Sequence, residues 1–113
     1  MDIKKIFIDG LNNIQNNNFD IDADTLNKFF QNYKVEILDL LEDQNIQVEV
    51  SKTINFLHLD KKNYLLSIPY LRILCEKFPN NTEIRFIIAK TYYHCGLYHY
   101  ALASMESIPK KTI

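Results

Sequence analysis

Tyr64 and Tyr98 stand thirty-four residues apart, and the side chains around them fall into one register. A period in that range marks repeated helix pairs, because one pair cannot bury its apolar face alone and must stack on a neighbour. In the second unit Ala89, Tyr92, Gly96, Tyr98 and Ala101 carry the register with a small residue, an aromatic, a turn glycine, an aromatic and an alanine. Ala89 and Ala101 let two antiparallel helices approach, Gly96 supplies the left-handed backbone of the turn, and Tyr92 and Tyr98 are expected to fill the seam. In the first unit Ile54, Tyr64, Ser67, Leu71, Leu74 and Pro79 keep the register, whereas His58, Lys62 and Pro69 depart from it. Pro69 has no amide proton to donate, so it is expected to kink or split its helix.

These positions resemble the tetratricopeptide repeat. The resemblance implies an all-α fold of antiparallel helical hairpins, an α-α superhelix, behind a divergent helical N-terminus. On that reading residues 1–113 form a single helical domain: N-terminal helices at 1–45, a degenerate hairpin at 46–79 and a hairpin close to pattern at 80–109. Asp60-Lys61-Lys62-Asn63 and Cys95-Gly96 are the expected tight turns, and Phe78-Pro79-Asn80-Asn81 is the break between hairpins.

Ahead of the repeats, Ile3, Ile6, Phe7 and Ile14 predict a short helix over 2–15 that ends near Asn16-Asn17-Asn18. Asp22 or Asp24 is a good N-cap for a longer amphipathic helix over 24–43, carried by Leu26, Phe29, Phe30, Tyr33, Ile37, Leu40 and Leu41. Ile46, Val48 and Val50 alternate like a strand but run into Ile54, Phe56, Leu57 and Leu59, and they are read as an irregular helix start.

Thirteen basic against fourteen acidic residues leave a formal net charge of −1, so no electropositive field favours nucleic acid. The longest apolar run, Tyr64 to Cys75, is broken by Ser67, Pro69 and Arg72 and is too short to cross a bilayer. Asp2, Lys4, Lys5 and Asp9 break up the apolar residues near the N-terminus, unlike a signal peptide. With only Cys75 and Cys95, both in predicted helices, the expected setting is a reducing cytoplasm.

Small chaperones of type III secretion, of the needle-subunit or translocator class, look like this chain, which resembles them from Ile73-Leu74-Cys75 through Ile84-Arg85-Phe86 to Tyr98. That resemblance implies a protein partner: a small helical secretion substrate, a co-chaperone, or both, in a homo- or heterodimer. Ala89-Lys90-Thr91-Tyr92 and Tyr98-His99-Tyr100-Ala101 are similar as well to repeats of anaphase-promoting-complex scaffold subunits, which implies a structural or oligomerisation module instead. Stacks of this type need about three units, so either the N-terminal helices form a third pair or a second chain completes the stack.

In a tetratricopeptide hairpin the first helix lines the concave surface, and helical phase selects its free face. In the second unit that face is Phe86, Lys90 and Tyr93, flanked by Ile87 and His94; in the first it is Lys52, Phe56 and Leu59. Such a groove takes an apolar or helical segment, supplied by a partner or by the chain's own helix 24–43.

Catalytic and cofactor chemistry is not expected. His94, Cys95 and His99 cluster without the spacing of a zinc site, and Cys75 with His58 lacks an orienting acid. Two glycines, Gly10 and Gly96, leave no phosphate-cradling loop. Asp20, Asp22 and Asp24 alternate but lack the glycine and distal glutamate of a calcium loop, so capping is their expected role.

Overall fold

A computed structural model describes residues 1–59 and 63–108. Among these residues the chain is all-helical: α1 (Ile3–Gln15), α2 (Ala23–Asn32), α3 (Lys34–Leu40), α4 (Gln44–Leu59), α5 (Tyr64–Lys77), α6 (Thr82–His94) and α7 (Tyr98–Glu106). The expected turn residues Asp60, Lys61 and Lys62, and residue 109 at the end of the last unit, lie outside the described residues.

Caps drawn from the sequence start and stop these helices. Asp2 accepts from the amide of Lys5 at 3.1 Å, Asp22 from that of Thr25 at 2.7 Å and Asn81 from that of Ile84 at 3.1 Å, so each satisfies a donor left over in a first turn. α1 ends where Asn17 enters the left-handed region at φ 56°, a conformation asparagine tolerates better than most residues. Gly96 does the same at φ 76° between α6 and α7.

The amphipathic segment expected as one helix over 24–43 is two. It breaks at Tyr33, whose φ of −120° and ψ of 33° lie off the helical values, although its amide still bonds the carbonyl of Phe29 at 3.1 Å. The break re-aims the second half: α2 packs on α5, while α3 turns towards both α1 and α5. Ile37 and Leu41 are thereby fully buried. The stretch 46–50, expected to start irregularly, lies inside α4, and Ile46, Val50, Ile54 and Leu57 form its buried stripe.

α5 is the element most others depend on, since α2, α3, α4 and α6 all pack against it. Pro69 lies within it and does not split it. The proline is the sixth residue of the helix, its ring is buried, and Leu65, whose carbonyl loses the bond, is exposed, so water can satisfy that oxygen. α6 packs on α5 and, most extensively, on α7. Ile88, Ala89 and Tyr92 of α6 and Ala101 of α7 are buried, but Tyr98, expected in the seam, is exposed, its ring meeting that of Tyr93 in a T-shaped contact.

At the N-terminal end α1 packs on α4 and α3 instead of pairing with α2. Phe7, Leu11 and Ile14 form its buried face, and the Gln15 amide reaches Glu49 Oε2 at 3.0 Å and Thr53 Oγ1 at 3.1 Å, fixing α1 against α4. Phe7 from α1, Phe30 from α2 and Tyr70 from α5 meet ring to ring, with centroids 5.1 to 6.2 Å apart.

The two glycines therefore respond to alanine with opposite signs. Gly10 is inside α1 and its added Cβ meets only the Tyr70 hydroxyl at 3.7 Å, so Gly10→Ala is expected to stabilise the chain by about 0.5–1 kcal/mol in urea titration. Gly96 has open space but positive φ, so Gly96→Ala is expected to cost about 1 kcal/mol in the same measurement.

Candidate functional site

Two surfaces on the C-terminal half collect the residues singled out from the sequence. The first is a groove of about 510 Å³ between α4 and α6, with α5 as its floor. From α6 it takes Ile87, Lys90 and His94, three of the expected groove residues. From α4 it takes Gln47, Ser51, Asn55 and His58, not Lys52, Phe56 and Leu59. The α4 stripe is displaced by roughly one residue, about 100° around a helix of 3.6 residues per turn. Lys52 instead pairs with Glu49 at 3.4 Å, Phe56 packs partly buried against the core, and Leu59 faces outward.

A polar knot at the groove floor ties three helices together. The Ser67 hydroxyl donates to the carbonyl of Tyr64 at 2.7 Å, and the Thr91 hydroxyl donates to that of Ile87 at 2.8 Å. Both hydroxyl protons are thus used, so the close atom of His58 must be a donor: Nε2–H gives its proton to Ser67 Oγ at 2.9 Å, with Thr91 Oγ1 at 3.4 Å. Above the knot the Tyr64 ring sits edge-on to His58 and stacks on His94 at 5.2 Å. Burial, and then the neighbouring His94 and Lys90, lower the pKa of His58, which favours the neutral ring.

The second surface is the outer face of the α6–α7 pair, a trough of about 510 Å³. Ala89 and Ala101 form its floor, Phe86 and Tyr93 one wall, and Tyr98, Leu102 and Met105 the other, and among the described residues Lys90 is its only charged one. Phe86 is 48% exposed, and Tyr93, Tyr98 and Leu102 are each 60% or more, far beyond what the interior of the fold uses. The expected α6 stripe is therefore divided. Ile87 and His94 face the groove, Phe86 and Tyr93 face the trough, and Lys90 borders both. Tyr98, Leu102 and Met105 were not among the expected site residues, because the sequence criterion chose only the first helix of each pair; their signal is an apolar 98, 102, 105 repeat on α7.

The reactive side chains are held in unreactive states. The Ser67 hydroxyl is wholly buried with its proton on a backbone carbonyl. Burial raises the pKa of the Cys75 and Cys95 thiols, which keeps them protonated and poor nucleophiles. Asp22 is spent on its cap, its carboxyl held below the usual value by the Thr25 amide, and Asp24 pairs with Lys28 at 3.1 Å. Among the described residues no three His, Cys, Asp or Glu side chains converge to hold a metal, and no helix is long and apolar enough to cross a membrane.

No protein-family model matches the chain, and no curated protein or solved structure matches it at a significant level.

The His58 knot makes stability depend on pH. The unfolded chain takes up a histidine proton near the ordinary value of 6.5, and the folded chain only at lower pH. The contribution is therefore fully present above 6.5 and is lost as the pH falls from there through the folded value. Tm is expected to drop on acidification from pH 7 to 5. His58→Gln, which keeps a donor for Ser67 but does not titrate, should flatten that part of the profile; an unchanged slope would remove His58 as its source.

Proposed function

We propose that this chain is a protein-binding chaperone or adaptor, a tetratricopeptide-like stack that sequesters an apolar, amphipathic helix of a partner. The observation that carries the reading is the α6–α7 trough. Two antiparallel helices with alanines at their junction and aromatic ridges on either side present the shape into which a third helix inserts its own ridge. With Lys90 the only charge among its described lining residues, the trough suits a helix with an apolar face.

Support for the hairpin stack comes from the succession of contacts. α4 packs on α5, α5 on α6 and α6 on α7, and the groove between α4 and α6 runs along the side of the stack. The N-terminal helices lie on the first of these pairs, α1 on α4 and α2 on α5, so the exposed end is the last pair, α6–α7. A partner helix in the trough would extend the series. This reading extends the resemblance to small type III secretion chaperones in a cytoplasmic setting, with a helical secretion substrate or co-chaperone as the partner.

The second reading is a scaffold or oligomerisation module. A face with a single charge among its described residues meets little repulsion from a second copy of itself, which would make the same trough a dimer interface.

Capture with the tagged full chain from its source cells, followed by mass measurement, distinguishes the two: a chaperone recovers a small helical protein in fixed proportion, a scaffold recovers itself. Phe86→Glu and Tyr93→Glu are each expected to weaken that association by about 30-fold, the effect of losing a hot-spot aromatic of roughly 2 kcal/mol. Both side chains are exposed, so helicity should be retained. Capture that survives both substitutions would exclude the trough as the binding surface.

A further inference from the structure

A third space opens at the opposite end of the molecule and has different chemistry. Because α1 leans on α4 and α3 while α2 leans on α5, the two helices diverge and leave a cleft of about 490 Å³ between them. That is within the roughly 300–1,000 Å³ of pockets that enclose small molecules. Phe7 and Ile14 of α1, Phe19 of the connecting segment, and Leu26 and Phe29 of α2 wall it with apolar surface.

At the inner side of the cleft is Tyr70 of α5, only 1% exposed. Phe7 and Phe30 fix its ring by edge contacts at 6.2 and 5.1 Å. Its hydroxyl comes out beside Gly10, where the absence of a side chain leaves the approach open. Among the described residues the Tyr70 hydroxyl has no hydrogen-bond partner, and unlike the buried Asn27 Oδ1 it is not sealed in, so it is a donor open to the cleft. A phenol ordinarily donates a hydrogen bond, and from this position it can give one only to water or to an acceptor that enters the cleft. Bulk water would satisfy it only by also wetting the aromatic walls.

The mouth narrows the choice of occupant. Asp9 and Asp20 stand on the rim with Asn13, Asn18 and Thr25, and among the described residues no Lys or Arg lines the cleft. A carboxylate or phosphate headgroup would meet like charge there, whereas a neutral or cationic group would not.

We propose that the α1–α2 cleft binds a small, largely apolar molecule, uncharged or cationic at the mouth, whose inner end carries an oxygen acceptor for the Tyr70 phenol. The site is separate from the α6–α7 trough and does not depend on the reading given for it. Burial raises the pKa of Tyr70 far above neutrality, so the phenol keeps the proton it would donate.

Titration of the full chain with 6-propionyl-2-(dimethylamino)naphthalene, a neutral aromatic ketone whose emission brightens and shifts to the blue in apolar surroundings, tests this directly. The expected result is saturable one-to-one binding. Tyr70→Phe keeps the ring contacts and removes only the donor, so it should weaken binding by about three- to tenfold, the effect of one hydrogen bond. Gly10→Leu, which puts a side chain into the approach, should abolish saturable binding with helicity unchanged in far-ultraviolet circular dichroism. Should Gly10→Leu fail to fold, Tyr70→Phe alone decides. Absence of saturable binding, or binding unaffected by Tyr70→Phe, overturns the proposal. So does binding that Phe86→Glu removes and Gly10→Leu leaves, which would put the probe in the trough. Apparent affinity that falls with rising protein concentration as a dimer forms would put a second copy in the cleft and also overturn it.

Discussion

Three aromatic rings hold the N-terminal helices to the rest of the molecule. Phe7, Phe30 and Tyr70 come from α1, α2 and α5, and their edge and tilted contacts are the point at which those three helices meet. Fully buried aromatics of this size bury much of the apolar surface available to a small domain. With α1 and α2 not paired to each other, the rings, with Gln15 bound to α4, set where these helices lie. The same geometry that seals the rings leaves the helices splayed on their outer side, so a close aromatic contact and an open cleft share one residue, Tyr70.

Much of this architecture was legible in the sequence. Asp22, Asn81 and Gly96 acted locally, through a side-chain oxygen on an amide or a backbone that only a few residues accept, and local effects can be read from local sequence. Ala89 and Ala101 were likewise marked by size, and both are buried. Tyr33 was not legible as a break, because Phe29, Tyr33, Ile37 and Leu41 continue a helical spacing across it. The interruption is imposed by the two different surfaces that α2 and α3 cover.

The groove residues show the limit most clearly. Helical phase was taken to place Lys52, Phe56 and Leu59 on the free face of α4, yet α4 is covered by α1 on one side and α5 on another, which turns a neighbouring face to the groove. Its groove face is mostly polar: Gln47, Ser51, Asn55 and His58, with Ile54 beneath them. On α6, whose one flank is uncovered, exposed apolar residues did mark a surface, but the phase joined two of them into one. The α1–α2 cleft left no sequence signal, since it exists only because two neighbouring helices fail to pair.

Pro69 divides the labour of α5. Before it, Ser67 and Tyr64 belong to the His58 knot; after it, Tyr70 belongs to the aromatic meeting point. The bond missing at Leu65 lowers the cost of releasing the first turns of α5 without disturbing the remainder, because helical cooperativity is carried by those bonds. In mechanical terms Pro69 is the joint of the rod, the place where one ladder bond fewer holds the knot end to the aromatic end.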